Sequence, residues 1–300
     1  MRPLIPENLN KNTMHTDCLE CFHKQADKLF EKFSISVDDS KMIISKFDKL
    51  LGKEGIENIQ APEAARFLHN EICNSSLVKD LYETEKKTYN RLMLSLEKKI
   101  KNNIRSSGNA FYTALRYALA GNIIDFGPPG AFDVYQALEA AESKKPAVDH
   151  SSILFNEIYK ADTVLYLGDN AGEIVTDKLF IETIGHPNLY FAVRGGHIIN
   201  DVTMDDAEAT GMHKITKVIS NGYDAPSTIL NKCSKEFKKI YDKADIIISK
   251  GQGNLEGLIN ETNKRIFFLL TVKCHVMAEL VGVNEKDTVV WYNRKRKNDL

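Results

Sequence analysis

Apolar positions along this chain follow two different periods. From Asp17 to about Lys160 they recur at three- and four-residue spacings, the signature of amphipathic helices. Asp17 is placed to cap a helix that carries Cys18, Cys21, Phe22, Gln25, Leu29 and Phe33 on neighbouring turns. Pro62 suits the first turn of a second helix, and Glu63 follows where an acidic side chain complements the dipole. Residues 79–102 form a long charged amphipathic segment with Leu81, Leu92, Leu96 and Ile100 among its apolar positions. Another helix, NAFYTALRYALA, runs from Gly108 to Gly121. The glycines and prolines of NIIDFGPPG then impose a shaped loop, followed by helices near 131–142 and 148–160.

After Asp162 the pattern changes to short apolar runs at 163–167, 189–193, 245–248, 266–270 and 288–291, with a weaker one near 217–219. Helices or long loops separate most of them, as a largely parallel sheet requires. The expected fold is therefore α/β: a doubly wound, largely parallel sheet with an N-terminal helical region packed over it. Residues 1–161 form the helical region and 162–300 the α/β core, with a soft boundary because the last helices before it can belong to either layer.

Composition narrows the function classes. Three hundred residues, 43% of them apolar, can bury a substantial core. The 40 basic and 41 acidic residues nearly cancel, which argues against nucleic acid or a membrane surface as partner. The basic run NRKRKN at 293–298 reads as a solvated tail, since it lacks an aromatic platform or a second basic stripe. IFFLLTV at 266–272 is too short to cross a bilayer, and Met1 to Asn12 lacks a signal peptide's apolar segment. Five cysteines, an odd number, fit reducing conditions better than a disulfide scaffold, so the cytoplasm is the expected location. No coiled-coil repeat points to an oligomeric state.

Candidate chemistry lies where the apolar runs end. VLYL at 164–167 leads into GDNAGE, and in an α/β protein ligands sit at strand C-terminal ends beside helix N-termini. Asp169 and Asn170 offer a carboxylate and a carbonyl oxygen to a hard divalent ion; the plainer alternative is an Asx cap of the next helix. Asp201, in NDVT after the strand at 190–193, can converge on the same place. Two aspartates and one asparagine, completed by water and phosphate, suit Mg²⁺ or Mn²⁺, with Co²⁺ or Ni²⁺ acceptable to the same oxygens. In NDVT, Thr203 can equally be only a cap for the acidic segment after it.

Lys250 and Gly251, in KGQGN after 244–248, supply an ammonium and an amide-rich turn for a phosphate, although the order is not that of a Walker A loop. Lys273 puts a further cation directly after the most apolar run. Asn122, Asp125 and Arg116 can close the pocket from the helical half, or cap and pair locally. Neither glycine-rich stretch matches a dinucleotide fingerprint. The thiols of Cys18 and Cys21 share a helical face. They can hold a soft metal with Cys274 (or Cys73), or remain buried and reduced.

As an ordered set, Cys18-Leu19-Glu20-Cys21, Gly121-Asn122 with Asp125, GDNAGE, NDVT, KGQGN and LLTVKC resemble the DUF89 family, also called damage-control phosphatases or the ARMT1-like family. The similarity runs from Cys18 to Cys274 and is strongest to the compact archaeal and bacterial branch with an N-terminal CxxC. It implies a metal-dependent phosphatase acting on small phosphorylated metabolites such as sugar phosphates. The metal would lie on Asp169, Asn170 and Asp201, and Lys250 would contact phosphate. Asp169 could serve as nucleophile, or metal-bound water could attack instead. The competing classes are an S-adenosylmethionine-dependent carboxyl methyltransferase, described for some relatives, and a noncatalytic sugar-phosphate sensor.

Overall fold

Each apolar run after residue 162 becomes a strand, because a parallel strand covered on both faces must be apolar at every position. The computed structural model describes residues 14–121 and 144–294, with Val134, Leu138 and Ala140 between them. The strands are β1 (Val148–Asp149), β2 (Val164–Leu167), β3 (Leu189–Val193), β4 (Lys217–Ser220), β5 (Ile246–Lys250), β6 (Ile266–Thr271) and β7 (Thr288–Tyr292). They form one seven-stranded sheet in the order β1-β7-β6-β5-β2-β3-β4. All neighbours pair in parallel except β6 and β7, which are antiparallel. The chain reverses direction of growth between β2–β3–β4 and β5–β6, so β2 and β5 lie side by side at the switch point, where α/β sheets open a crevice.

Side-chain alternation then divides the sheet into two faces. Val164, Tyr166, Phe191, Val193, Ile246 and Ile248 pack on one face against α4 (Glu83–Ser106), α5 (Ala110–Gly121), α6 (Ser151–Ile158) and α7 (Glu173–Ile184). Leu165, Leu167, Ala192, Ile247, Phe268 and Leu270 face α9 (Lys235–Lys243), α10 (Gln252–Leu258) and α11 (His275–Val281) on the other. The short α8 (Met204–Ala209) follows β3.

A third core belongs to the N-terminal helices α1 (Asp17–Lys32), α2 (Val37–Glu54) and α3 (Ala61–Ser76), built around Phe22, Phe30, Ile43, Phe47, Leu68 and Ile72. The N-terminal helical bundle over a mostly parallel sheet is thus as the patterning predicts. Three local details differ. Asp17 is the first residue of α1 rather than its cap. The helix expected from 148 starts at Ser151, because Val148 and Asp149 pair with β7 instead. Helix α2, which the apolar period left unresolved, begins where Ser36 Oγ accepts the Asp39 N–H at 3.1 Å, with Asp38 and Asp39 in its first turn.

Polar contacts join the helical layers to the loops at the C-terminal edge of the sheet. Arg66 of α3 binds both carboxylate oxygens of Asp224 at 2.6 and 3.1 Å, and its guanidinium lies 4.8 Å from the Tyr223 ring centroid. Tyr223 donates its hydroxyl to Glu63 at 2.7 Å. Lys86 of α4, buried, pairs with Asp206 of α8 at 2.9 Å, and Asn90 donates to the same carboxylate at 2.8 Å.

His69 of α3 is buried, and burial lowers its pKa from 6.5 to about 4 against the opposing pull of Asp80. Between those values the folded chain binds fewer protons at His69 than the unfolded chain does. Stability therefore rises with pH across about 4 to 6.5 and is insensitive to this group above that window. Urea denaturation near pH 4.5 and near pH 7 is expected to show a His69-dependent difference on the order of 2 kcal/mol. His69→Gln should remove that component; an unchanged pH slope in the variant would show that His69 titrates normally.

Candidate functional site

Two loops zip together at the C-terminal ends of β2 and β3. Val202 N–H donates to Asp169 O at 2.8 Å, Ala171 N–H donates to Asn200 O at 2.9 Å, and Asn170 and Asp201 form an isolated antiparallel bridge. This backbone pairing is what places Asp169, Asn170 and Asp201 in one cluster. All three are buried. Thr203 also caps α8, with its N–H and hydroxyl donating to Asp206 at 2.9 and 2.7 Å, so the capping and converging readings of NDVT hold together.

Glycines permit the close approach. Gly172 has φ +78° and gives its N–H to Asn90 Oδ1 of α4 at 2.7 Å, which pins the turn into α7. Gly251 has φ +80°, and a Cβ at that position would lie 1.9 Å from Asp169 Oδ2. Only glycine satisfies both the backbone conformation and the space. Its N–H continues the sheet by donating to Leu269 O at 3.0 Å. The amide of Gly251, expected to face a phosphate, is thus held by a protein acceptor, as is that of Gly172. On the other side of the zip, Ile199 adopts φ +44°, and its side chain packs against the core of α1–α3.

Electrostatics in the cluster are dominated by burial. Burial pushes Asp169 up to about 7, reinforced by the nearby charges of Glu173 and Asp201 and opposed by Lys273 and Arg194. Burial also raises Asp201, against the pull of Arg194, whose Nε donates to Asp201 Oδ2 at 2.5 Å. Arg194 Nη2 lies 3.7 Å from Asp169 Oδ1, and Nη1 donates to Asn254 Oδ1 at 2.9 Å. Asn254 in turn donates to Gly168 O and Lys250 O at 3.1 and 2.8 Å, joining KGQGN to GDNAGE.

Lys250 takes a different position from the one its motif suggests. Its side chain has no exposed surface, and Nζ contacts Glu173, Asp177 Oδ1 at 2.6 Å and Ala118 O of α5 at 2.7 Å. Asp177 and Glu173 hold the ammonium above its ordinary pKa although burial alone would lower it. Tyr166 adds a 2.6 Å hydrogen bond to Asp177. The network reaches the cluster through Asn170, whose Nδ2 donates to Glu173 Oε2 at 3.2 Å and to Asp169 Oδ2 at 2.7 Å. Both partners are acceptors, so the amide nitrogen must face them.

Lys273 is exposed, lies within electrostatic reach of Asp169 and Asp201, and has its N–H bonded to Gln252 Oε1 at 3.2 Å. Arg116 is half-buried on α5. Asn122 and Asp125 lie outside the described residues. Arg194 and Asp177 lie outside the motifs, while Glu173 and Asn254 lie within GDNAGE and KGQGN with no role of their own assigned from sequence. Strand parity carries a signal for Lys250 and its partners: Ile246, Ile248 and Lys250 alternate onto one face, the face of α5 and α7.

All five cysteines are free thiols. Cys18 and Cys274 are half-buried and Cys21 is exposed; burial, with Glu256 and Cys274 nearby, pushes Cys18 up to about 11. Beside them His15, Asp17 and His275 form a cluster whose ligand atoms all lie within 4.8 Å of one another, a set able to coordinate a divalent metal ion. It is the one such group of histidine, cysteine and acidic side chains among the described residues. No helix among those residues is long and apolar enough to cross a membrane.

Known proteins resemble this chain along nearly its whole length. The damage-control phosphatase PH1575 of Pyrococcus horikoshii is 32% identical over 282 residues, covering 93% of this chain and 97% of its own. A damage-control phosphatase of Archaeoglobus fulgidus is 31% identical over 278 residues, covering 87% and 94%. The crystal structure of the DUF89 family protein PH1575 superposes with a TM-score of 0.85 over 94% of this chain and 99% of that one. Residues 14–289 match the damage-control phosphatase ARMT1-like domain, and the chain belongs to that family.

Proposed function

We propose that this protein is a divalent-metal-dependent phosphatase that hydrolyses small phosphorylated metabolites such as sugar phosphates. The observation that carries the reading is the zip of GDNAGE onto NDVT, which gathers two carboxylates and an amide at the sheet's switch point. The donor set fits a hard cation. Asp169 and Asp201 are both raised by burial, and a bound cation would relieve the desolvation and mutual repulsion of their charged forms. Asp169, Asn170 and Asp201 would hold the ion, as Mg²⁺ or Mn²⁺, with Co²⁺ or Ni²⁺ tolerated. When bound, such an ion polarises a phosphoryl oxygen and neutralises charge at the reacting group. The names of the relatives agree with this reading.

The chain's own residues then divide the remaining work. Asn170 presents Oδ1 to the cluster because its nitrogen is committed to Glu173 and Asp169. Lys250 acts as a positioning residue: it holds Glu173 in place, and Glu173 orients Asn170. Arg194 opposes the burial-driven rise of the Asp201 pKa and fixes its rotamer through a hydrogen bond. Lys273 is the exposed cation beside the carboxylates, so it receives the substrate phosphate and stabilises its developing charge. The free thiols are compatible with a reducing compartment and support the cytoplasm as its location.

Metal-stripped protein should release phosphate from sugar phosphates or an aryl phosphate only after a divalent ion is restored. Asp169→Ala and Asp201→Ala should each abolish that release without unfolding the chain; turnover retained in both would overturn the site. Lys273→Ala should lower kcat/KM by about 10²-fold with unchanged thermal stability, a loss typical of removing one charge-stabilising donor. Lys250→Met should behave in the opposite sense. Leaving Glu173 and Asp177 buried without a counter-ion should lower unfolding free energy by about 3–5 kcal/mol in urea titrations. A Lys250→Met protein of wild-type stability would show that the buried network is dispensable.

A further inference from the structure

The cluster formed by His15, Asp17 and His275 is not part of the carboxylate site and has different donor chemistry. His275 Nε2 lies 2.6 Å from Asp17 Oδ2, and His15 Nδ1 lies 3.5 Å from the same oxygen. Two imidazoles therefore converge on a single carboxylate oxygen, with their ring centroids 6.2 Å apart and their planes at 88°. His275 and Asp17 are 258 residues apart in sequence, so the cluster bridges the start of α1 to the start of α11, directly after the turn from β6. Each side chain is about half exposed, which leaves room for an ion and a solvent ligand.

The surroundings distinguish this cluster from an ordinary surface ion pair. Cys18 follows Asp17, and Cys274 precedes His275. Cys274 and Cys21 lie near enough to Cys18 for their charges to act on it. Imidazole and thiol donors prefer zinc, cobalt or nickel over magnesium, whereas carboxylate and amide oxygens suit magnesium and manganese. The same turn is tied to the catalytic edge: Gln252 accepts from Lys273 N–H at 3.2 Å and donates to Cys274 Sγ at 3.7 Å.

We propose that His15, Asp17 and His275 bind a second divalent ion, of the zinc, cobalt and nickel class, which clips α1 to the turn that carries Lys273. Three protein ligands with a fourth position open to solvent is a coordination that zinc accepts. The clip joins segments remote in sequence, so the ion binds the folded chain and not the unfolded one, and it raises thermal stability by mass action. The site differs from the proposed catalytic metal in both ligands and ion preference. Its test does not depend on phosphatase activity.

The experiment measures bound metal by equilibrium dialysis and elemental analysis, and Tm in parallel, on full-length chelator-stripped protein titrated with Zn²⁺ and separately with Mg²⁺. The expected result is two zinc ions in the wild type, one in His275→Ala, and one in Asp169→Asn/Asp201→Asn. In the latter variant zinc, but not magnesium, should still raise Tm. His275 is exposed at the start of α11, so its truncation leaves the fold intact; far-ultraviolet circular dichroism checks this. Wild-type zinc stoichiometry and Tm response in both His275→Ala and Asp17→Asn would overturn the proposal. Retention of zinc in His275→Ala with loss in Cys18→Ser/Cys274→Ser would also overturn it, by assigning the ion to the thiols. Loss of one ion from Asp169→Asn/Asp201→Asn with none lost from His275→Ala would leave the catalytic reading standing and remove this one.

Discussion

A lysine ammonium sealed from water is the constraint on which the rest of this structure depends. Lys250 at the end of β5 has no exposed surface, and such a charge is tolerable only if opposite charge and hydrogen-bond acceptors surround it. Glu173 and Asp177 of α7 and the Ala118 carbonyl of α5 provide them. Three elements are thereby fixed relative to one strand end. Buried ion pairs contribute little net stability compared with apolar packing, but they define orientation, and here the orientation passes through Glu173 to the Asn170 amide. The backbone zip gathers the polar cluster at the sheet edge, and satisfying one buried cation sets how the Asn170 amide is turned within it.

The helical layers meet the α/β core through polar contacts that fall on the loops bearing the site. Asn90 of α4 holds the Gly172 turn after β2, Lys86 and Asn90 hold Asp206 after β3, and Arg66 and Glu63 hold Asp224 and Tyr223 after β4. Each such contact fixes backbone that would otherwise be free to move at a strand exit. The helices therefore act as a template for loop geometry as well as a cover.

Much of this was legible in the sequence because the relevant signals are local. Apolar runs bounded by polar turns marked six strands, and the motifs at their exits singled out Asp169, Asn170 and Asp201, which the fold brings into one cluster. The pairing of GDNAGE with NDVT could be expected only as convergence, since a two-loop hydrogen-bond bridge has no one-dimensional signature. Lys250 illustrates a different gap. Its motif suggests a phosphate ligand, while strand parity with Ile246 and Ile248 directs it into the face lined by α5 and α7. Arg194 was overlooked because a single arginine before two glycines looks like a turn residue until its burial against Asp201 is seen. Helix α7 hides its polar residues for a related reason: Glu173, Asp177 and Lys178 are all buried in an element whose neighbours cover nearly every side. The meeting of His15, Asp17 and His275 depends on how chain ends fold back, which local periodicity does not record.

Ile199 gives the helical bundle a mechanical meaning. A β-branched residue held at φ +44° stores strain on the order of 1–3 kcal/mol, and such a conformation persists only where its surroundings over-determine it. Its side chain is anchored in the apolar core of α1–α3, two residues before Asp201. The bundle thus works as a counterweight: burial on one side of the loop offsets torsion on the other. Excising α1–α3 to obtain a minimal α/β domain would remove that counterweight and let the loop relax, so the smaller protein would lose the tension that sets Asp201.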